Sequence, residues 1–90
     1  MDINDYREQI DQLDRELLRI FNERANLALK IGEIKKTLDR PVYDPSREKR
    51  IFDAMTASNP GPLDDSAIVR LFERVIDESR TLERIRTKGI

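Results

Sequence analysis

The sequence contains no cysteine and no histidine, and it has only three glycines and four prolines. Disulfides, thiolate nucleophiles, zinc sites of the usual ligand types and histidine-based acid–base catalysis are therefore excluded. No run of apolar residues exceeds three, so the sequence predicts neither a membrane span nor a signal-peptide core. We expect a cytoplasmic, soluble and mostly helical protein.

Charge of one sign is also lacking, although charged residues are abundant. Lys and Arg number 17 and Asp and Glu number 18, which gives a net charge of −1. Binding to nucleic acid or to an acidic membrane surface requires a one-sided basic field, so neither partner is expected. Because 39% of the 90 residues are charged and only 38% are hydrophobic, one chain buries little apolar surface. A chain of this kind is either helical and oligomeric or poorly folded.

Helix-breaking residues divide the chain into three segments, and none of the segments shows the alternating pattern of a strand. The breakers are Pro41 and Pro45 after the first segment, 60–62 after the second, and Gly89 at the end of the third. Aspartates suited to begin a helix precede the segments: Asp2 with Asp5, Asp44 before Pro45, and Asp64 with Asp65. We predict an all-α fold, with helices over 3–39, 45–58 and 64–87 in a single domain of residues 1–90.

The first segment carries a seam of apolar residues at alternating steps of three and four, as in a coiled coil. Its members are Ile3, Tyr6, Ile10, Leu13, Leu17, Ile20, Leu27, Ile31, Ile34 and Leu38. A helix of about 37 residues is roughly 55 Å long, whereas a compact chain of this size is about 30 Å across. The seam therefore extends beyond any core that one chain can form. We expect a homodimer in which a second copy of the helix packs antiparallel to the first.

One cation, Arg24, interrupts this seam, and a second, Lys35, lies beside it. Arg24 occupies a core-facing position of the series, and Lys35 lies about 20° around the helix from Arg24 and about 16 Å along it. A buried cation requires an anion, and a small ligand that carries carboxylates would supply one. The plainer alternative is an Arg24 that sets the register or packs its stem while its head reaches water.

Arg7 extends this argument to a second chain. It lies about 25 Å along the helix from Arg24, too far for both to bind one small ligand within a chain. In an antiparallel dimer that crosses near residues 17–18, the partner's Arg7 would arrive beside residues 24–35. Considered alone, Arg7 fits an exposed ion pair on a solvated helix face.

Four further polar residues are candidates for the same site. Arg47 and Glu48 open the second helix, where Arg47 can contact an anion and Glu48 can accept a hydrogen bond from a hydroxyl. Ser79 interrupts the apolar stripe of the third helix, and Glu83 lies one turn further on. The alternatives are a solvated first turn, a serine bonded to its own helix, and a surface ion pair between Glu83 and Arg80 or Arg86.

Together these residues resemble the all-helical chorismate mutases. The resemblance covers about residues 3–86 and rests on the stretches 7–14, 17–18, 22–24, 27–28, 31–35, 41–44 and 47–49. The spacing from Arg7 through Arg24 and Lys35 to the pair Arg47-Glu48 is its most specific part. The resemblance implies three helices intertwined into a six-helix homodimer with two shared sites. It also implies the rearrangement of chorismate to prephenate, on the route to phenylalanine and tyrosine, without any cofactor.

The resemblance also assigns roles to the cations. Arg24 and the partner's Arg7 would bind the two carboxylates of chorismate. Lys35 would contact a carboxylate and the ether oxygen, on which negative charge grows as its C–O bond breaks. The cations would thereby hold the flexible dianion in a bent conformation and stabilise charge that develops only in the transition state.

The remaining assignments concern the other end of the substrate. By resemblance, Glu48 and the backbone near Asp44 would hold the ring hydroxyl, and Arg47 would line the same end. Ser79 would bond the ring carboxylate.

Glu83 departs from the commonest bacterial pattern, which has a glutamine that donates to the ether oxygen. An ionised carboxylate cannot donate, whereas a protonated one can. Burial would raise the pKa of Glu83 and Lys35 would lower it. We expect activity that rises toward acid pH, and a Glu83→Gln profile shifted toward neutral pH.

Two other functions stay open at this point. An isochorismate pyruvate-lyase uses the same scaffold and a similar set of cations, although the loop after the first helix and the position of Glu83 favour the mutase. A non-catalytic helical dimerisation or regulatory module is the second alternative. It predicts that Arg24→Leu is harmless or stabilising.

Overall fold

The computed structural model describes residues 1–87 and confirms the all-α prediction for them. Its elements are the helices α1 (Ile3–Thr37), α2 (Pro45–Ser58) and α3 (Asp65–Thr87), joined by two loops. Within this range there is no β-strand. Residues 88–90 of the predicted domain, including Gly89 as the expected end of the third segment, lie outside the described residues.

An aspartate side chain precedes each helix and satisfies a backbone N–H of its first turn. The acceptor–donor pairs are Asp2 with Asp5 at 3.0 Å, Asp44 with Arg47 at 3.1 Å, and Asp64 with Ala67 at 2.8 Å. In α1 the carboxylate of Asp5 accepts in return from the backbone N–H of Asp2, which completes a capping box. The three helix starts therefore follow from the aspartates that the sequence places before each segment.

α1 ends at Thr37, two residues before the predicted end at residue 39. The chain turns at Asp39, whose φ of 55° lies in the left-handed region. The backbone N–H of Asp39 donates to the carbonyl of Lys36 at 3.2 Å, and that of Arg40 donates to the carbonyl of Lys35 at 2.7 Å. These are the two bonds of a Schellman motif, which ends a helix and reverses the chain. The turn brings the loop before α2 back beside Lys35.

The helices enclose only a small core, which lies in the second half of α1 and the middle of α3. α1 and α2 each pack against α3. Buried positions in this part of the chain include Ala28 and Gly32 of α1 and Ile76 and Glu83 of α3. Among residues 1–87, none of the helices combines the length and the apolar character needed to cross a bilayer.

The first half of α1 lies outside this core. Residues 1–23 are all exposed, and seam members such as Tyr6, Ile10 and Leu13 expose 56%, 54% and 59% of their surface. The described residues extend over 54 × 28 × 14 Å, so α1 does overhang the rest of its own chain as its length predicts. Leaving a large apolar side chain in water forgoes about 1.5–3 kcal/mol of burial.

Candidate active site

The three helices surround a cavity of about 290 Å³ on the second half of α1. Its wall includes seven of the eight residues that the sequence proposes for a site: Arg24, Lys35, Asp44, Arg47, Glu48, Ser79 and Glu83. The eighth, Arg7, does not line it, because Arg7 lies on the exposed first half of α1. Apolar side chains such as Leu27, Ile31 and Ile51 complete the wall. We refer to this cavity as the α1–α3 pocket.

Arg24 crosses the pocket from α1 to α3. Its Nη1 donates a hydrogen bond of 2.8 Å to Oγ of Ser79, and both residues are half-buried. The Ser79 hydroxyl thus interacts with a neighbouring helix rather than with its own, unlike the alternative drawn from the sequence. Because a guanidinium has five N–H donors, this bond fixes Arg24 while leaving donors for a ligand.

Lys35 lies at the other end of the pocket, in the last turn of α1. Its Nζ donates to the backbone carbonyl of Val42 at 3.1 Å, across the turn that follows α1. An ammonium has three N–H donors, so the contact with Val42 leaves capacity for a ligand. The Schellman turn at Asp39 is therefore what orients the second cation of the site.

The first turn of α2 forms a second wall of the pocket. The hydrogen bond from the backbone N–H of Arg47 lowers the pKa of Asp44, and the bond from the Ser46 hydroxyl adds to this effect. The carboxylate of Asp44 is thereby occupied with capping α2. Arg47 itself is exposed at the rim, whereas Glu48 is half-buried.

Glu48 is held by an arginine that the sequence arguments did not place in the site. Nη1 of Arg80 lies 3.0 Å from Oε2 of Glu48, and Nη2 of Arg80 donates to Asp77. The guanidinium carbon also lies 5.1 Å from the centre of the Tyr43 ring. The periodicity of α3 contained a signal for this residue, because positions 76, 79, 80 and 83 recur at steps of three and four and share one face.

Glu83 is the most deeply buried of the acidic pocket residues, with 7% of its surface exposed. Burial raises the pKa of its carboxyl group, and the charges of Lys35 and Arg24 oppose this rise without cancelling it. The alternative of a surface ion pair with Arg80 is wrong, because Glu83 is buried and Arg80 contacts Glu48 and Asp77 instead.

The charges around the pocket leave its centre suited to an anion. Asp44 caps a helix and Glu48 pairs with Arg80, so two of the pocket's carboxylates are already engaged. The pKa of Glu83 is raised, mainly by burial, beside the cations Lys35 and Arg24. Within the described part of the chain, no group of three or more acidic side chains is arranged to hold a metal ion.

Fold and pocket together define an all-helical protein with a small pocket that is lined by several cations. The family model described as chorismate mutase type II matches residues 6–84. The chain therefore belongs to the chorismate mutase type II family.

Individual proteins of the family resemble this chain in sequence and in structure. A bifunctional chorismate mutase/prephenate dehydratase of Aquifex aeolicus is 36% identical over 92% of this chain, which spans only 24% of that longer protein. The chorismate mutase of Thermus thermophilus (form II) has a TM-score of 0.90 at 39% identity, covering 91% of this chain and 93% of its own. The chorismate mutase of Helicobacter pylori, solved in complex with prephenate, has a TM-score of 0.90 at 28% identity. This match covers 98% of the present chain and 96% of the Helicobacter pylori chain.

The raised pKa of Glu83 predicts a pH-dependent effect of this residue on stability. Below the ordinary carboxyl pKa, Glu83 is protonated in both the folded and the unfolded chain and its ionisation has no effect. As the pH rises, the unfolded chain ionises first, so folding stability falls until the pH passes the folded pKa. Glu83→Gln is therefore expected to be more stable than the wild type at neutral pH, and this advantage should vanish in acid.

Urea unfolding at a series of pH values and one protein concentration measures this difference. Glu73→Gln, which alters an exposed carboxylate on the same helix, is the control and should show no such trend. A stability difference between Glu83→Gln and the wild type that does not change with pH would contradict the shift.

Proposed function

We propose that this chain catalyses the Claisen rearrangement of chorismate to prephenate, as an isomerase on the route to phenylalanine and tyrosine. The observation that carries the proposal is the convergence of Arg24, Lys35 and the buried Glu83 on one small pocket in a member of the chorismate mutase type II family. The prephenate held by the Helicobacter pylori relative supports the choice of substrate and product.

The reaction demands what such a pocket can supply. Chorismate carries two carboxylates and must be held in a chair-like conformation before its ends can react. As the C–O bond breaks, negative charge grows on the ether oxygen, and no nucleophile or external proton carrier takes part. Positioned cations lower the barrier both by restricting the substrate and by stabilising this charge.

In our proposal, each cation contacts a different part of the substrate. Arg24, held by Ser79, binds a carboxylate, and Lys35 contacts a carboxylate and the ether oxygen. Both are anchored by hydrogen bonds to other parts of the fold at 2.8 and 3.1 Å, so little reorganisation is needed when charge develops. We assign to Ser79 a further contact with the ring carboxylate.

The α2 wall receives the ring hydroxyl. Glu48 accepts its hydrogen bond with the carboxylate oxygen that is not engaged by Arg80, assisted by the backbone near Asp44. Arg47 lines the same end of the pocket from the rim. The pairing of Glu48 through Oε2 alone is compatible with this role, because a carboxylate has two acceptor oxygens.

We further propose that the active form is a homodimer of a single domain covering residues 1–90, with two α1 helices packed antiparallel. The support is the exposed seam on the first half of α1, including Ile10, Leu13 and Leu17 at 54%, 59% and 46% exposure. The pocket of one chain also lacks Arg7, which lies about 25 Å along the helix from Arg24. The partner's Arg7 would complete each site.

Glu83 acts as a hydrogen-bond donor to the ether oxygen in this scheme, which requires the protonated form. Burial favours that form, because it raises the pKa of the carboxyl group. The charges of Lys35 and Arg24, which lower the pKa, keep the shift limited.

Removing Lys35 should greatly reduce the rate with chorismate. Lys35→Ala is expected to lower kcat by about 100- to 1,000-fold, by analogy with the loss of one oxyanion donor. Lys36→Ala is the matched control, because Lys36 belongs to the same helical turn but does not line the pocket.

Consumption of chorismate and of isochorismate by the purified wild type should be measured alongside these variants. Faster turnover of isochorismate, or equal losses in both lysine variants, would contradict the proposed reaction.

Mixing two inactive variants tests whether sites are shared between chains. In a heterodimer of Arg7→Ala and Lys35→Ala chains, one of the two sites has neither substitution. Random exchange of subunits should therefore restore about a quarter of the wild-type sites.

A mixture of Arg24→Ala and Lys35→Ala is the control. Both residues line the pocket of one chain, so every site in that mixture contains one of the two substitutions. Its activity should therefore stay low. Full activity of Arg7→Ala alone, or no recovery in the first mixture, would exclude the shared site.

The rate should depend on pH through Glu83. Because only the protonated acid donates, kcat of the wild type is expected to rise as the pH falls from neutral toward mildly acidic values. Glu83→Gln donates at every pH, so its profile should shift toward neutral pH. The profiles are measured at saturating chorismate, and a flat wild-type profile would argue against Glu83 as a donor.

A further inference from the structure

Arg80 connects three parts of the fold at the edge of the α1–α3 pocket. From α3, it contacts Glu48 of α2 at 3.0 Å, Asp77 of its own helix, and the ring of Tyr43 in the loop after α1. The side chains of Arg80 and Glu48 expose 24% and 21% of their surface. This ion pair is therefore partly shielded from water, unlike Arg74–Glu78 on the same helix, whose side chains are 79% and 64% exposed.

The arrangement depends on the shape of a guanidinium. Its planar fork can donate to two carboxylates while its face packs on an aromatic ring, which an ammonium cannot do. Glu48 and Asp77 both engage the fork, so two of the five N–H donors of Arg80 are given to protein carboxylates. Arg24 and Lys35 differ, since each donates a hydrogen bond to a neutral oxygen, the Ser79 hydroxyl or the Val42 carbonyl.

We propose that Arg80 is a positioning residue, which fixes the carboxylate of Glu48 so that its second oxygen points at the hydroxyl of the bound substrate. A glutamate side chain has three rotatable bonds, and holding one oxygen removes most of that freedom before the substrate binds. The inference rests on the proposed function, in which Glu48 binds the ring hydroxyl of chorismate. It adds a residue that acts on the substrate through Glu48.

A double-mutant cycle on chorismate turnover tests this dependence. Arg80→Met keeps the apolar stem and removes the fork, and Glu48→Ala removes the group that Arg80 is proposed to hold. In the wild-type background Arg80→Met should lower kcat/KM by about tenfold or more, and in the Glu48→Ala background by less than about twofold. A purely structural role would reduce activity by the same factor in both backgrounds.

Two further variants support the cycle. Arg80→Lys keeps the charge but cannot span both carboxylates and the ring, so its kcat/KM should lie between those of the wild type and Arg80→Met. Arg74→Met removes an arginine of the same helix from an exposed ion pair and should leave turnover unchanged. Circular dichroism and thermal unfolding establish that each variant is folded, and if Arg80→Met does not fold, Arg80→Lys takes its place in the cycle.

The outcomes separate this inference from the proposed function. If the wild type is active and Arg80→Met lowers kcat/KM by the same factor in both backgrounds, the proposed role of Arg80 is wrong and the proposed mutase function is supported. A wild type without activity on chorismate overturns both. An active wild type in which the effect of Arg80→Met disappears with Glu48 supports both.

Discussion

The structure depends on one electrostatic requirement, which is that cations on the core-facing side of a helix must be compensated. Arg24 and Lys35 lie on the same side of α1 and are half-buried in the wall of one pocket. The fold gives each a neutral oxygen, the Ser79 hydroxyl for one and the Val42 carbonyl for the other. These contacts orient the cations without neutralising them, and in the proposed function a bound anion would supply the compensation. Arg24 and Lys35 differ in this respect from Arg80, which is paired with the carboxylate of Glu48.

The same helix couples this pocket to assembly. Only the second half of α1 contacts a core, and the apolar seam of the first half lies in water in a single chain. In the proposed homodimer, a second copy of the helix would bury this seam. Arg7 lies on that overhanging half, so stability of the proposed dimer and completion of the proposed site would arise from one surface.

The two glutamates of the pocket illustrate how environment decides chemistry. Glu48 is half-buried and paired with Arg80, while Glu83 is buried and its pKa is raised, which favours a donor. Both carboxylates lie near cations, yet burial outweighs those charges at Glu83 because desolvation of a carboxylate is costly. In the proposed reaction, one carboxylate accepts from the ring hydroxyl and the other donates to the ether oxygen.

The sequence by itself determined the three helices, their aspartate caps and the overhang of α1, because periodicity, capping and helix rise are local properties of a chain. The family was indicated by the resemblance of particular stretches of residues and by the spacing of the cations. It also indicated Arg24 and Lys35, since a cation in an apolar series is visible at fixed angular spacing. The last turn of α1 was predicted two residues too long, because a left-handed Asp39 carries no strong sequence signal. Only the tertiary structure decided that Arg80 pairs with Glu48 and that Glu83 is buried. Both depend on how closely α2 and α1 approach α3, and such distances between helices are set by packing rather than by the spacing of residues along one helix.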